Sequence, residues 1–227
     1  MSSLLPLLRL LLRTPVLTKV ITRFALIWMR HFRWYAHLRA FRFDGVVDGG
    51  ANIGEFAQVV REALPLAHLI CVEPHPGCAS LLRKQGFEVA QAALWNERTT
   101  LDLFQDGLSS SCTLMKERSG HQVAKVQAIR LCDLPIRGNR LLIKLDLQGA
   151  ERVALEALGD MEKRCAGFLL EVSLSPRDTF EDINRLLLSK NYILFASVNE
   201  FFSGNWQIES DILWIKKEIL QELPRDV

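Results

Sequence analysis

The chain has 227 residues, 49% of them apolar and 24% charged, with a formal net charge of +2 at pH 7. That length holds one α/β domain, an appendage and an ample core, and the ordinary globular balance argues against a disordered or fibrous chain. The five cysteines (Cys71, Cys78, Cys112, Cys132 and Cys165) are odd in number, widely spaced and without a C-x-x-C pair, which argues for reduced thiols and against a disulfide framework or a zinc site.

The charge is unevenly spread. Residues 1–43 carry eight basic residues and no acid, while the remaining 184 carry 20 basic and 26 acidic residues. The chain therefore divides into a basic arm, 1–43, and an acidic domain, 44–227. Thr14-Pro15 reads as a helix N-cap followed by proline at the first helical position, and the helix is expected to run to about Ala40. At 100° per residue, Arg9, Arg13, Lys19, Arg23 and Arg30 share a sector of roughly 120°, with Leu17, Ile21, Leu26 and Trp28 mostly away from it. Lys19 and Arg23 interrupt every window of about 20 residues, so no transmembrane span fits. Arg9 and Arg13 break the apolar run that a signal peptide needs. Three readings stay open: a helical extension packed on the domain, an interfacial helix on anionic lipid or glycolipid, and a transit peptide. Arg30-His-Phe-Arg-Trp-Tyr35 interleaves charge and aromatics as nucleic-acid binders do, but the acidic body behind it disfavours nucleic acid. The expected setting is cytoplasmic, with peripheral contact at the inner membrane surface through 1–43.

Gly45 to Phe56 reads as a buried strand, a tight glycine turn and a helix start. Val46 and Val47 supply the strand, Gly49 and Gly50 the turn, and Asn52 is expected to cap the helix. Gly54 leaves room for the helix to lie close to the sheet. Such a turn signals a nucleotide cofactor, and the charges discriminate which one. Asp48 and Glu55 would repel a pyrophosphate at the glycine turn. A cofactor with a cationic end, such as the ammonium and sulfonium of S-adenosylmethionine, would be favoured. Asn52 also stands where a G-x-G-x-x-G pattern needs its second glycine.

A helix to about Ala63 and a stop at Pro65 lead to a second strand, Ala67 to Val72. It ends in Glu73, 19 residues after Gly54. An acid at that point is where doubly wound folds grip a ribose diol. Pro76 to Lys84 is a short helix closed by Gly86. Phe87 to Leu94 is a third strand, with Ala92, Ala93 and Leu94 as candidates to wall an adenine ring. Residues of about 96–135 alternate without an intervening helix and read as an inserted antiparallel ribbon with a serine-rich turn, Gly107 to Thr113. Arg140 to Leu147 is the fourth parallel strand, followed by a helix from Glu151 to about Leu158. Gly167 to Val172 is the fifth strand. A helix from Phe180 to Ser189 and a hairpin of Tyr192 to Val198 with Asp211 to Lys216 complete the chain. Trp206 and Trp214 there read as core.

Val47-Asp-Gly-Gly-Ala-Asn-Ile-Gly-Glu-Phe56, Val72-Glu-Pro-His-Pro76 and Ile143-Lys-Leu-Asp-Leu-Gln-Gly-Ala-Glu151 together resemble the FkbM family of S-adenosylmethionine-dependent methyltransferases. The likeness runs from about Gly45 to about Ser173, and K-x-D-x-x-G-x-E is the most specific of its motifs. It implies a Rossmann-like methyltransferase fold, in which a mostly parallel seven-stranded sheet ends in a C-terminal antiparallel hairpin. It also implies O-methylation of a hydroxyl on a sugar, glycolipid or other small molecule. The expected cofactor-binding residues are Asp48, Gly49, Gly50, Asn52, Gly54, Glu73 and Ala93. The base that takes the hydroxyl proton is expected to be Asp146, then Glu171, then His75. Lys144 can pair with Asp146 or Glu171 and hold it ionised. No histidine-rich ligand set supports a metal. Two rivals remain on the same residues: an NAD-type oxidoreductase, and a non-catalytic protein that docks on a membrane or partner. The acceptor and the oligomeric state are not legible.

Overall fold

A computed structural model describes residues 38–105, 112–114, 121–173, 180–203 and 206–222. Most of the arm, residues 1–37, lies outside them, as does most of the serine-rich turn. The main sheet has seven strands: β1 (Gly45–Gly49), β2 (His68–Val72), β3 (Glu88–Ala90), β8 (Leu141–Leu145), β9 (Cys165–Ser173), β10 (Tyr192–Ser203) and β11 (Trp206–Lys216). They lie in the order β10-β11-β9-β8-β1-β2-β3. Neighbours pair in parallel except around β11, which runs antiparallel to both β9 and β10. This is the Rossmann-like sheet with a reversed C-terminal hairpin. The order changes direction at β1 and β8, where a crevice opens beyond the strand ends.

Two helical layers cover the sheet. On one face lie α1 (Glu55–Ala63), α2 (Pro76–Lys84), α5 (Lys217–Leu220) and the helical end at residues 38–41. On the other lie α3 (Glu151–Leu155) and α4 (Phe180–Ser189). Strand pleating sorts the side chains: Val47, Ile143, Leu145 and Phe168 enter the α3/α4 core, while Val46, Leu142 and Leu169 face α1. Leu38, Phe41 and Phe43 are buried in that second core, so the base of the basic arm is fixed to the domain. Trp214 is fully buried and donates its Nε1–H to Asn184 Oδ1 at 3.2 Å, as its core assignment requires. The side chain of Trp206 lies outside the described ones.

Three local expectations change. The third strand splits, because the chain leaves the main sheet after Ala90 and Ala93–Leu94 forms β4 in a second sheet. That sheet has the order β4-β7-β5-β6, with β5 (Thr99–Gln105), β6 (Cys112–Thr113) and β7 (His121–Ile129), and β5 and β7 are antiparallel. The helix after β8 stops at Leu155, short of Leu158. Asn52 does not cap α1. Gly54 is its N-cap, at φ 91, and no side chain caps it. A Cβ at Gly54 would meet Leu82 and Gln85 of the neighbouring α2 segment, so this glycine admits a helix rather than the sheet. Among the described residues no helix is long and apolar enough to cross a membrane.

Candidate functional site

A cavity of about 300 Å³ lies beyond the carboxyl ends of β1, β2 and β8. The glycine turn forms one side of it. Gly50 has φ 72, and a Cβ there would overlap the Asp146 carbonyl oxygen, so only glycine brings the turn this close to β8. The apolar wall is Ala92, Ala93, Leu94, Leu103 and Leu114, so the ribbon closes the cavity that the main sheet opens.

Glu73 stands just past the end of β2 and is 5% exposed. Its Oε2 accepts from the backbone N–H of Asn52 at 2.8 Å, and its Oε1 from that of His75 at 2.8 Å. Asn52 itself is left-handed, at φ 49, and its amide and that of His75 converge on one carboxylate. Burial pushes Glu73 above its ordinary carboxylate value, against the pull of both amides.

Asp146 and Glu171 meet on the opposite side. The Gln148 Nε2 donates to Asp146 Oδ1 at 3.0 Å and to Glu171 Oε2 at 2.8 Å. Burial, and then the negative charge of Asp146, push Glu171 up to about 9, so it is the protonated member of the pair at neutral pH. Burial alone would raise Asp146 too, but Lys144 and the hydrogen bonds from Glu171 and Gln148 hold it below its ordinary value. Gln148 adopts φ 55 and Gly149 φ 105. Glu151 stabilises that turn, accepting from Leu147 N–H at 2.7 Å and Gly149 N–H at 3.1 Å. It is 2% exposed, and burial pushes it up to about 7.

Of the residues singled out in the sequence, Gly50, Asn52, Glu73, Ala93, Asp146 and Glu171 line the cavity together. Asp48, Gly49, Gly54 and His75 do not. Asp48 is 0% exposed, on the α1 face of β1, in register with Lys144 on β8. Its Oδ1 lies 3.3 Å from Lys144 Nζ. The pleat turns the Asp48 side chain under the sheet rim, toward Lys144 and away from the cavity lining. The His75 ring lies on α2, where Nδ1 accepts from the Cys78 N–H at 3.4 Å as an N-cap. Gln148, Leu103 and Leu114 were not singled out as site residues. Gln148 lies inside the K-x-D-x-x-G-x-E motif, but its left-handed backbone carries no sequence mark. Leu103 shows only the alternation of a half-buried strand. Among the described residues no cluster of three or more His, Cys, Asp and Glu side chains suits a metal ion.

No curated protein matches the chain in sequence. Solved structures share the fold. Methyltransferase FkbM from Methylobacillus flagellatus KT superposes with a TM-score of 0.51 at 15% identity, covering 77% of this chain and 44% of its own. EvdMO1 superposes with a TM-score of 0.50 at 12% identity, covering 82% of this chain and 40% of its own. This chain thus spans less than half the length of either protein. The family profile described as "Methyltransferase FkbM domain" matches residues 48–194, from the acid of the glycine turn into β10. A match over that much of the sequence, on this sheet order, makes the chain a member of the FkbM methyltransferase family.

Proposed function

We propose that this chain is an S-adenosylmethionine-dependent O-methyltransferase acting on a hydroxyl of a sugar, glycolipid or other small molecule. Family membership supports methyl transfer and the cofactor. The observation that carries the assignment is the meeting of Glu73, Asp146 and Glu171 on one cavity, with no Lys, Arg or His among its described lining residues. Such a cavity repels the diphosphate of a dinucleotide and attracts a cationic donor. The Glu73 carboxylate, already oriented by two amides, suits the paired hydroxyls of a ribose. Ala93, Leu94 and Leu103 suit the face of an adenine ring. When bound, the donor supplies an electrophilic methyl on a sulfonium.

The protein's own part is alignment and proton removal. Asp146 is the base: it lines the cavity, is held ionised, and sits at the end of a strand. Glu171 keeps its proton and fixes Asp146 from the side, and Gln148 bridges both. As the acceptor oxygen attacks, its proton passes to Asp146. The acceptor enters against the ribbon, whose Leu103 and Leu114 line the cavity.

The eight basic residues and absence of acid in residues 1–43 support a further part of this reading. The basic segment 1–43 holds the domain at an anionic lipid surface on the cytoplasmic side. Cosedimentation with phosphatidylglycerol vesicles tests this; equal recovery with phosphatidylcholine vesicles rejects it. The central test is calorimetry with S-adenosylmethionine, S-adenosylhomocysteine and NAD. The first two are expected to bind and NAD is not. Binding of NAD alone would return the chain to oxidoreductase chemistry.

A further inference from the structure

The K-x-D spacing puts Lys144 near the end of β8 and Asp146 just past it, two residues apart. Lys144 is in register with Asp48 on β1 and with Leu169 on β9. Its ammonium lies where three oxygens converge: Asp48 Oδ1 at 3.3 Å, the Gly50 carbonyl at 3.3 Å and Asp146 Oδ2 at 3.5 Å. An ammonium has three hydrogens and no acceptor. It donates to the Gly50 carbonyl and to Asp146 Oδ2 and forms an ion pair with Asp48. Burial pushes the Asp48 carboxyl above its ordinary value, against the pull of Lys144. The Phe56 ring, 5.9 Å from Nζ, lies over this junction from α1. Lys144 is 12% exposed at its side chain and Asp48 is 0% exposed.

We propose that Lys144 is the positioning residue of the site, joining the glycine turn to Asp146 and holding that carboxylate ionised and oriented, with Asp48 as its buried counter-ion. The inference rests on the reading of Asp146 as the base. It gives the first acid of the glycine motif a different role, since Asp48 keeps the lysine charged in a buried setting instead of touching a ligand. The charged groups around Asp146 come from every neighbouring strand. They are Lys144 on β8, Asp48 on β1, Glu171 on β9 and Glu151 at the start of α3, with Asp211 on β11 acting on Lys144 and Glu171. Lys144 is the cation among these, so its removal exposes Asp146 to carboxyl neighbours alone.

The test is a carboxyl ¹³C NMR titration of the full chain without ligand, with Asp146 assigned through Asp146→Asn. In the wild type, Asp146 is expected to titrate below its ordinary value of 3.8. In the double variant Asp48→Asn/Lys144→Met, which removes both buried charges together, the Asp146 midpoint is expected to rise by roughly 1 to 3 on the pH scale. Lys144→Arg, which keeps the charge, is expected to restore a low midpoint. A role confined to packing would leave the midpoint in place. A wild-type midpoint at or above 3.8, or one unmoved in the double variant, overturns the proposal. If the double variant does not fold, Lys144→Gln alone supplies the comparison, and an Asp146 midpoint unmoved in it overturns the proposal. The measurement needs no cofactor, so failure of S-adenosylmethionine binding is read separately.

Discussion

Asp48 and Glu73 lie near the carboxyl ends of neighbouring parallel strands, and both are acids beside the same glycine turn. One is sealed under the sheet and the other faces the cavity. The difference is one of position. Asp48 lies inside β1, so the pleat assigns its side chain to the α1 face and pairs it with Lys144. Glu73 lies just beyond β2, free of the pleat, and two backbone amides draw it into the crevice. A carboxylate inside a parallel strand meets the neighbouring strands; one just past the end meets the cavity. Asp146, just past β8, follows the second pattern and keeps a link to the first through Lys144.

The sharpest way to break this contrast is to truncate each acid. Asp48→Ala is expected to cost about 3 kcal/mol of stability in a urea denaturation, because it removes one partner of a buried ion pair. Its effect on cofactor affinity in the folded protein is expected to be the smaller one. Complete loss of S-adenosylmethionine binding in a stable Asp48→Ala protein would put that acid back at the ligand.

Glu73→Ala reverses the pattern. It removes a charged acceptor from two amides and from the proposed ribose, and affinity should fall by roughly 100-fold, about 2.7 kcal/mol, by calorimetry. Unchanged affinity would show that Glu73 only closes the turn.

The acid on α3 extends the contrast to pH. Burial pushes Glu151 from its ordinary 4.5 up to about 7 in the fold. Between those values the folded chain binds the extra proton, so this group's contribution to stability falls as pH rises from about 4.5 to about 7. Glu151→Gln should remove that slope, worth about 2 kcal/mol, in denaturation curves at pH 5 and pH 8. An identical slope in the variant would reject the assignment.

The smallest effect lies on the ribbon. Leu114→Ala should weaken S-adenosylmethionine binding by roughly fivefold, about 1 kcal/mol, through lost apolar contact. An effect as large as that of Glu73→Ala would make the ribbon, not the strand end, the main holder of the donor.

Much of this arrangement is legible in the chain itself. The apolar runs, the glycine turn, Pro76 at a helix start and the helix Phe180–Ser189 follow from period, turn chemistry and capping, which act over a few residues. The three motifs, spread from Val47 to Glu151, also carry the family. Asp146, Glu171, Glu73 and Ala93 were accessible as candidates because acids and small residues at strand ends face the crevice of an open sheet. Tertiary structure alone decided which acids reach it. The register of β1 against β8 hides Asp48 behind Lys144, and the left-handed turn at Gln148 clamps Asp146 to Glu171. Both depend on partners about a hundred and about twenty residues away. Local sequence fixes a side chain's chemistry, but the pleat and register that aim it are properties of the assembled sheet.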